Sequence, residues 1–292
     1  MKWQRGTKND DVIDARGRKA PKVAAGGIGV VIVVFVVAKL FNVDISGLLG
    51  GSSSSSSSTT TTSSSSSSST KHEAEPPKGP DPDAELVDFI RFVMKDIQDT
   101  FDGVFKADGK QYERAKLIIF TDAIDTKCGR SSSAIGPFYC PGDSNAYIDL
   151  SFYKDLRTKL GAPGDFAQAY VLAHEIGHHL QNIFNVDQDR SKLNKSRTRN
   201  EHSVRVELQA DCYAGVWAHH AAGKNLLEIG DLEEAMTAAK EIGDDRLAKK
   251  AGVDEVNPET FTHGTSAQRM KWFRVGFDRG TLSACDTFSV AP

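Results

Sequence analysis

The stretch "AHEIGHHL", residues 173–180, places three histidines and one glutamate inside an otherwise apolar run. In a helix His174 and His178 lie about 40° apart around the axis, so both imidazoles project from one side. Two nitrogens at this spacing can bind one metal ion, and Glu175 can take a proton from water beside it. His179 points away from the pair and is predicted either to be structural or to support a ligand from behind. The stretch therefore predicts a helix that supplies two ligands and a base to a zinc site, in the H-E-x-x-H pattern.

The rest of the predicted ligand set comes from "ELQAD", which begins 29 residues after His178. A catalytic zinc takes three protein ligands and keeps its fourth position for water, and Glu207 can complete a His2Glu set. Asp211, on the same helix face, can accept the second ring N–H of a ligand histidine. A solvated helix face is the alternative, but like charges four residues apart repel mildly, and a cation would relieve this. The sequence thus predicts bound Zn2+.

The patterning around these motifs predicts an α+β fold, a helix-rich domain with a small early β-sheet. The predicted helices cover 81–101, 165–184, 203–223, 231–251 and 266–280, and the predicted strands cover 115–120 and 146–150. The second strand is a candidate edge strand for an extended peptide, which would place Tyr147 near the cleft. The basic run 190–199 either rims the site or forms a solvated loop. His219 and His220 are predicted to be unrelated to zinc.

Four cysteines are present, and all follow residue 127. An even number suits two disulfides in an oxidising compartment, and four cysteines allow three pairings. Cys128–Cys140 would close a short loop and leave Cys212–Cys285, which makes this pairing the favoured one. Zinc binding by cysteine is disfavoured because no C-x-x-C spacing occurs.

The N-terminal part predicts a membrane anchor. Residues 1–22 carry seven Lys/Arg and three Asp, whereas the remaining chain carries 29 Lys/Arg and 36 Asp/Glu, a net charge of −7. Residues 23–41 form a 19-residue apolar run, about 28 Å as a helix and close to the bilayer core. A cleaved signal peptide or a buried core helix fits less well. The basic flank predicts a cytoplasmic N-terminus and an extracytoplasmic domain.

Four regions follow from this organisation. They are a cytoplasmic basic segment (1–22), a single transmembrane anchor in contact with lipid (23–41), a flexible Ser/Thr/Pro-rich linker (42–80) and a zinc domain (81–292). The linker composition cannot bury enough apolar area to offset its ordering entropy, so disorder is expected there. The net negative charge of the chain after residue 22 argues against nucleic acid as a partner, since phosphate binding needs clustered cations.

These motifs together resemble a known family. "HEIGHH" followed by "ELQAD", with "CG…GPFYCPGD…YIDL" before and "HGTSAQR" after, resembles the bacterial membrane-anchored neutral zinc metallopeptidases. The E-x-x-A-D segment is also similar to that of gluzincin peptidases, in which the Glu binds zinc and the Asp orients a histidine. The resemblance implies a zincin-like domain in which the zinc ligands are His174, His178 and Glu207. It also implies that Glu175 is the catalytic base and that Asp211 orients a ligand histidine.

The implied reaction is hydrolysis of peptide bonds in a peptide or protein substrate. In comparable peptidases a downstream His or Tyr stabilises the oxyanion, which makes His263 the candidate here and Arg269 its alternative. Two other functions stay open. One is a zinc amidase acting on cell-wall peptides, and the other is a zinc-stabilised binding module without catalysis, although such a module would not need Glu175.

Overall fold

The computed structural model describes residues 1–17, 80–186, 196–250 and 260–289. The helices of these ranges are α1 (Ala84–Ala107), α2 (Ser151–Thr158), α3 (Asp165–Ile183), α4 (Ser196–Gly223), α5 (Asp231–Glu241), α6 (Asp244–Lys250) and α7 (Ser266–Arg279). The strands are β1 (Val12–Asp14), β2 (Lys116–Phe120), β3 (Ala123–Thr126), β4 (Gly129–Ser132), β5 (Phe138–Cys140) and β6 (Asn145–Asp149). The predicted helix-rich α+β class with a small early sheet is confirmed.

Several sequence predictions fall outside the described ranges. They are the transmembrane anchor at 23–41, nearly all of the linker 42–80, and most of the basic run 190–199. Among the helices that are described, none combines the length and the apolar character needed to cross a bilayer.

The main sheet has four strands in the order β1-β2-β6-β5. Strand β2 pairs in parallel with β1 and β6, while β5 pairs antiparallel with β6. The pairing of β1 places Val12 opposite Leu117. Residues 1–17, which the sequence assigned to a separate basic segment, therefore belong to the folded domain. A strand of three residues is too short to show a period-two pattern, so its pairing was not foreseen.

The two faces of the sheet pack against different layers. Leu117 and Ile148 belong to the large core beneath the helices. Phe120 and Tyr147 belong to a smaller cluster on the other face, next to the hairpin β3–β4. Tyr147 stacks on Phe138 at 4.9 Å and donates a hydrogen bond to Asp143. The expectation that Tyr147 lies near the cleft is therefore wrong, because residues alternate between the faces of a strand.

The prediction that 146–150 forms an edge strand is also wrong. Strand β6 has β2 on one side and β5 on the other, so its backbone groups are already paired. The outer strands of this sheet are β1 and β5. A three-residue strand such as β5, between a Gly-Pro turn and a Pro-Gly turn, gave no readable pattern.

Glycines let the central helices approach closely. A Cβ on Gly177 of α3 would lie 2.9 Å from the carbonyl oxygen of Ala210 on α4. A Cβ on Gly276 of α7 would lie 1.9 Å from the carbonyl oxygen of Cys212, and one on Gly215 of α4 would lie 2.0 Å from that of Phe273. Helix α4 is thereby held between α3 and α7, with backbones nearer than any larger residue would allow.

The helix predicted over 231–251 is broken into α5 and α6 at Gly243. A Cβ there would lie 2.5 Å from the backbone nitrogen of Ser266, so the first residue of α7 occupies the space. The break directs Asp244 toward the turn before α7 and Asp245 toward Ser266. Helix α4 also begins at Ser196, earlier than the predicted residue 203.

The favoured disulfide pairing is confirmed. Cys128, directly before β4, is bonded to Cys140, the last residue of β5. Cys212 on α4 is bonded to Cys285, which lies in a short turn of helix after α7. The second bond therefore joins the C-terminal segment to the helix that carries "ELQAD".

Candidate metal centre

Three predicted ligands converge where α3 faces α4. His174 and His178 project from successive turns of α3, with ring centroids 4.7 Å apart. Glu207 of α4 approaches both, with Oε2 3.2 Å from His174 Nε2 and Oε1 3.6 Å from His178 Nε2. One ligand atom from each lies within 4.8 Å of the others. Each side chain is at most one-fifth exposed, so the group is sheltered but not sealed.

These distances suit a tetrahedral cation. Zinc bonds of about 2.0–2.2 Å to imidazole and carboxylate place neighbouring ligand atoms about 3.3 Å apart. Two nitrogens and one carboxylate also match the open three-ligand set of catalytic zinc. A second acidic group in the described ranges consists of Asp165, Asp231 and Glu234. Its Asp165 and Asp231 instead contact the amino group of Met1, at 2.6 and 3.3 Å.

His174 is held from behind by Asp211. Its Nδ1 lies 2.9 Å from Asp211 Oδ1, which also accepts a hydrogen bond from the Tyr170 hydroxyl at 2.5 Å. Burial by itself would lower the pKa of His174, but the charge and hydrogen bond of Asp211 raise it to about 10. Both ring nitrogens of His174 face carboxylates, which favours its protonated form, so a bound cation would compete with a proton for this ring.

Arg269 is placed differently from its predicted role. Its guanidinium makes a bidentate ion pair with Asp211, with both N–O distances 2.8 Å, and it is 2% exposed. Burial favours the protonated form of Asp211, yet the charges of Arg269 and His174 keep its pKa below the usual value. Arg269 is therefore buried beneath His174, where Asp211 engages its guanidinium.

His178 has a neutral partner, which the sequence reading missed. Its Nδ1 lies 2.8 Å from Oε1 of Gln181, three residues along α3. The Gln181 amide donates to the carbonyl oxygen of Val206 at 2.6 Å and to Gln209 Oε1 at 3.1 Å. The i, i+3 spacing of "HHLQ" was the available signal. With Nδ1 engaged, Nε2 of His178 faces Glu207.

Glu175 is buried beside the ligand group, at 7% exposure. Burial raises the pKa of its carboxyl, while the neighbouring His178 and His174 act in the opposite direction. Among the residues that the structure describes, no hydrogen bond to this carboxylate is found. A carboxyl with a raised pKa near a metal site is suited to proton transfer.

His263 also belongs to this region. Its Nδ1 lies 2.9 Å from Asp244 Oδ1, and Glu207 acts on it electrostatically. Burial alone would lower the pKa of His263, but Asp244 and Glu207 raise it. The other oxygen of Asp244 accepts the backbone N–H groups of Thr262, His263 and Gly264, at 2.7, 2.7 and 3.1 Å. Asp244, unforeseen in the sequence, therefore fixes this turn.

The remaining histidines of the motifs are structural. His179 Nε2 contacts the carbonyl oxygen of Glu113 at 2.6 Å, and its Nδ1 contacts the Tyr139 hydroxyl at 3.0 Å. Burial lowers the pKa of His179. His219 and His220 bind carbonyl oxygens of Phe277 and Gly280 at the end of α7. Each of these three side chains is thus engaged by backbone or hydroxyl oxygens, and none of them belongs to the group formed by His174, His178 and Glu207.

Strand β5 is attached to the helix that carries the ligands. The hydroxyl of Tyr139 contacts His179 and accepts a hydrogen bond from Asn182, both of which lie on α3. The outer strand of the sheet is therefore fixed against α3, the helix that carries the candidate ligands His174 and His178.

Comparison with known proteins agrees with this geometry. A family model described as "Putative neutral zinc metallopeptidase" matches residues 1–288. Among curated relatives, "Uncharacterized protein YpfJ" of Escherichia coli K12 is 41% identical over 301 residues, covering 99% of each chain. "Uncharacterized protein Rv2575" of Mycobacterium tuberculosis is 41% identical over 214 residues, covering 70% of this chain and 72% of the relative. No solved structure matches the chain.

Proposed function

We propose that this chain, which belongs to the neutral zinc metallopeptidase family matched over residues 1–288, is a zinc-dependent peptidase. The observation that carries the proposal is the convergence of His174, His178 and Glu207 within 4.8 Å. These three side chains would hold the ion, which when bound supplies a Lewis acid that polarises the scissile carbonyl and lowers the pKa of the attacking water.

Glu175 is assigned the proton transfer. Its carboxylate takes a proton from the attacking water and passes it to the leaving amine. The raised pKa of this buried group suits both halves of the transfer, because the acid form is then stable enough to donate later. Its position on α3, between the two histidines, keeps it beside the reacting atoms.

His263 is assigned the stabilisation of the developing oxyanion. Asp244 holds its Nδ1, so the other ring nitrogen is left to donate to the carbonyl oxygen of the substrate. The raised pKa of His263 extends to higher pH the range in which the ring is charged and can donate. An ionised donor makes a stronger hydrogen bond to a negative oxygen than a neutral one.

The substrate is proposed to be an extended peptide that pairs with β5. Strand β5 is an outer strand of the sheet and is tied through Tyr139 to the metal-binding helix. Main-chain hydrogen bonds to such a strand would align a peptide without regard to most of its side chains.

The test is the substitution Glu175→Gln in the purified full chain. We expect near one bound zinc per chain to remain, since Glu175 is not a ligand. Cleavage of casein or of a peptide library should fall by about 10²–10⁴-fold, the usual contribution of a general base.

Two control variants separate metal loss from loss of chemistry. His178→Ala should lose zinc and activity together, whereas His219→Ala, which contacts Phe277, should keep both. Full peptidase activity in Glu175→Gln would contradict the mechanism. Release of stem peptides from peptidoglycan without casein cleavage would instead support the cell-wall amidase, and zinc binding with no hydrolysis of either would support the binding module.

A further inference from the structure

A chain of hydrogen bonds leads from the metal site to the C-terminal segment. His178 Nδ1 contacts Gln181 Oε1 at 2.8 Å, and Gln181 Nε2 donates to Gln209 Oε1 at 3.1 Å. Gln209 Nε2 then donates to the backbone carbonyl oxygen of Cys285 at 2.9 Å. The chain thus links a ligand on α3 through α4 to a residue that lies beyond α7.

The donor and acceptor roles along this chain of hydrogen bonds are fixed by the two backbone carbonyl groups that it contacts. A backbone carbonyl oxygen only accepts, so the contacts with Val206 and Cys285 orient the amides of Gln181 and Gln209. Gln181 must then present its oxygen to His178, whose Nδ1 carries the proton. The lone pair of His178 is consequently on Nε2, the atom that faces Glu207.

Little water is available to replace these contacts. Gln181 is 4% exposed, Gln209 is 6% exposed, and Cys285 is 1% exposed. A buried polar group that loses its partner suffers the full desolvation cost, so an interrupted chain is expected to rearrange.

The C-terminal segment is attached to α4 beside this chain. Cys285 is bonded to Cys212, which follows Asp211 on the helix that also carries Glu207 and Gln209. The hydroxyl of Thr287 adds a hydrogen bond to the carbonyl oxygen of Arg205 at 2.8 Å. The disulfide therefore sets the position of the Cys285 carbonyl group, which is the last acceptor in the chain of hydrogen bonds.

We propose that Gln181 and Gln209 are positioning residues for His178, and that the Cys212–Cys285 disulfide maintains their alignment. The two ligand histidines are then supported in different ways. His174 rests on a buried ion pair, and His178 on neutral amides anchored to the C-terminal segment. The inference rests on the proposed metal site, and it assigns a role to a disulfide that lies outside the ligand group.

Zinc affinity, measured by competition with a chelator, tests the glutamines. Gln181→Leu and Gln209→Leu should weaken zinc binding by about 10–100-fold, the usual effect of removing a group that orients a ligand. Gln98→Leu is the matched control. Gln98 is a fully buried glutamine that binds Ala115 and Tyr112 away from the site, so its variant should lose stability without losing affinity.

A double-mutant cycle separates positioning from general loss of stability. Because Gln181 and Gln209 are links of one chain, Gln181→Leu/Gln209→Leu should bind zinc about as weakly as Gln181→Leu alone. If the double variant instead loses zinc affinity by the product of the two single-variant factors, Gln181 and Gln209 act independently and the proposed link between them is contradicted.

The two disulfides supply a second matched pair. Cys212→Ala/Cys285→Ala should weaken zinc binding by about tenfold or more, whereas Cys128→Ala/Cys140→Ala should leave the affinity within about twofold. If the first pair of substitutions prevents folding, Gln209→Leu interrupts the same link with the disulfide intact.

Wild-type affinity in Gln181→Leu and Gln209→Leu, or equal effects of the two disulfide removals, would overturn the inference. A wild-type chain that binds no zinc would overturn the proposed function instead.

Discussion

At the scale of single residues, the site depends on the partners behind the ligands. Asp211 and Arg269 form a buried, bidentate pair, and breaking such a pair by removing one partner usually costs about 3–5 kcal/mol. The same pair presents a carboxylate to His174. Stability and the orientation of the His174 ring are therefore coupled at this position.

His263 gives a residue-scale prediction about pH. Its raised pKa means that the protonated form stabilises the fold below the pKa of the unfolded chain, and that this contribution is lost as pH rises through the folded pKa. The donating form of His263 is lost over the same rise. We therefore expect kcat/KM to fall at alkaline pH as His263 loses its proton, which gives the pH profile an alkaline limb.

Substitution of Asp244 should move that limb. Asp244→Asn removes the carboxylate that raises the pKa of His263, so the limb should shift to lower pH. Asp245→Asn is the control, because Asp245 accepts hydrogen bonds from Ser266 at the start of α7. An unchanged limb in Asp244→Asn would argue against His263 as the donor.

At the scale of elements, the decisive feature is the close crossing of α4 and α7. Gly215 and Gly276 bring the two backbones together, and this crossing sets how Arg269 of α7 reaches Asp211 of α4. Helix α3 approaches the other side of α4 through Gly177. Small residues at the crossings thus fix the spacing between ligands carried by different helices.

Replacement of one of these glycines should show the effect. Gly276→Ala should lower the free energy of unfolding by about 3 kcal/mol, because the new methyl group would overlap the Cys212 carbonyl oxygen and α7 must move. Gly103→Ala, at an exposed position of α1 with no atom within 4 Å of the new Cβ, should raise it by about 0.5–1 kcal/mol. Chemical denaturation of both variants checks the opposite signs.

At the scale of the whole molecule, the N-terminal residues are part of the domain. Strand β1 pairs with β2, and Arg16 binds Asp14, Asp81 and Asp83 at 2.7, 2.5 and 2.9 Å. These ion pairs bring residue 16 next to the start of α1. Two strands that are hydrogen-bonded to each other must lie on the same side of a membrane, so β1 and the rest of the sheet share one compartment.

This contact predicts how the chain is arranged about a membrane. Lys8→Cys and Lys154→Cys introduce thiols at exposed positions of the two parts. A membrane-impermeant maleimide applied to intact spheroplasts should label both variants or neither. The single-pass arrangement expected from the apolar run 23–41 would instead give labelling of Lys154→Cys alone, and that result would mean that β1 is not paired in the cell.

The sequence could predict the parts of the site that are local. His174, Glu175 and His178 follow from the geometry of one helix, and the favoured disulfides follow from spacing. Glu207 and Asp211 required one step more, since only the chemistry of zinc suggested that a second helix comes close. Gln181 had a visible i, i+3 signal, but its further partner Gln209 had none.

What the sequence by itself determined is therefore the pairing of His174 with His178 on one helix face and the helix-rich class, because both depend on periodicity within a single element. Only the tertiary structure decided that Arg269 lies beneath Asp211, that β5 rather than β6 is an outer strand, that Asp244 holds His263, and that residues 1–17 join the sheet. Each of these is a contact between distant segments. Such contacts depend on how closely backbones approach, which short-range patterns do not record.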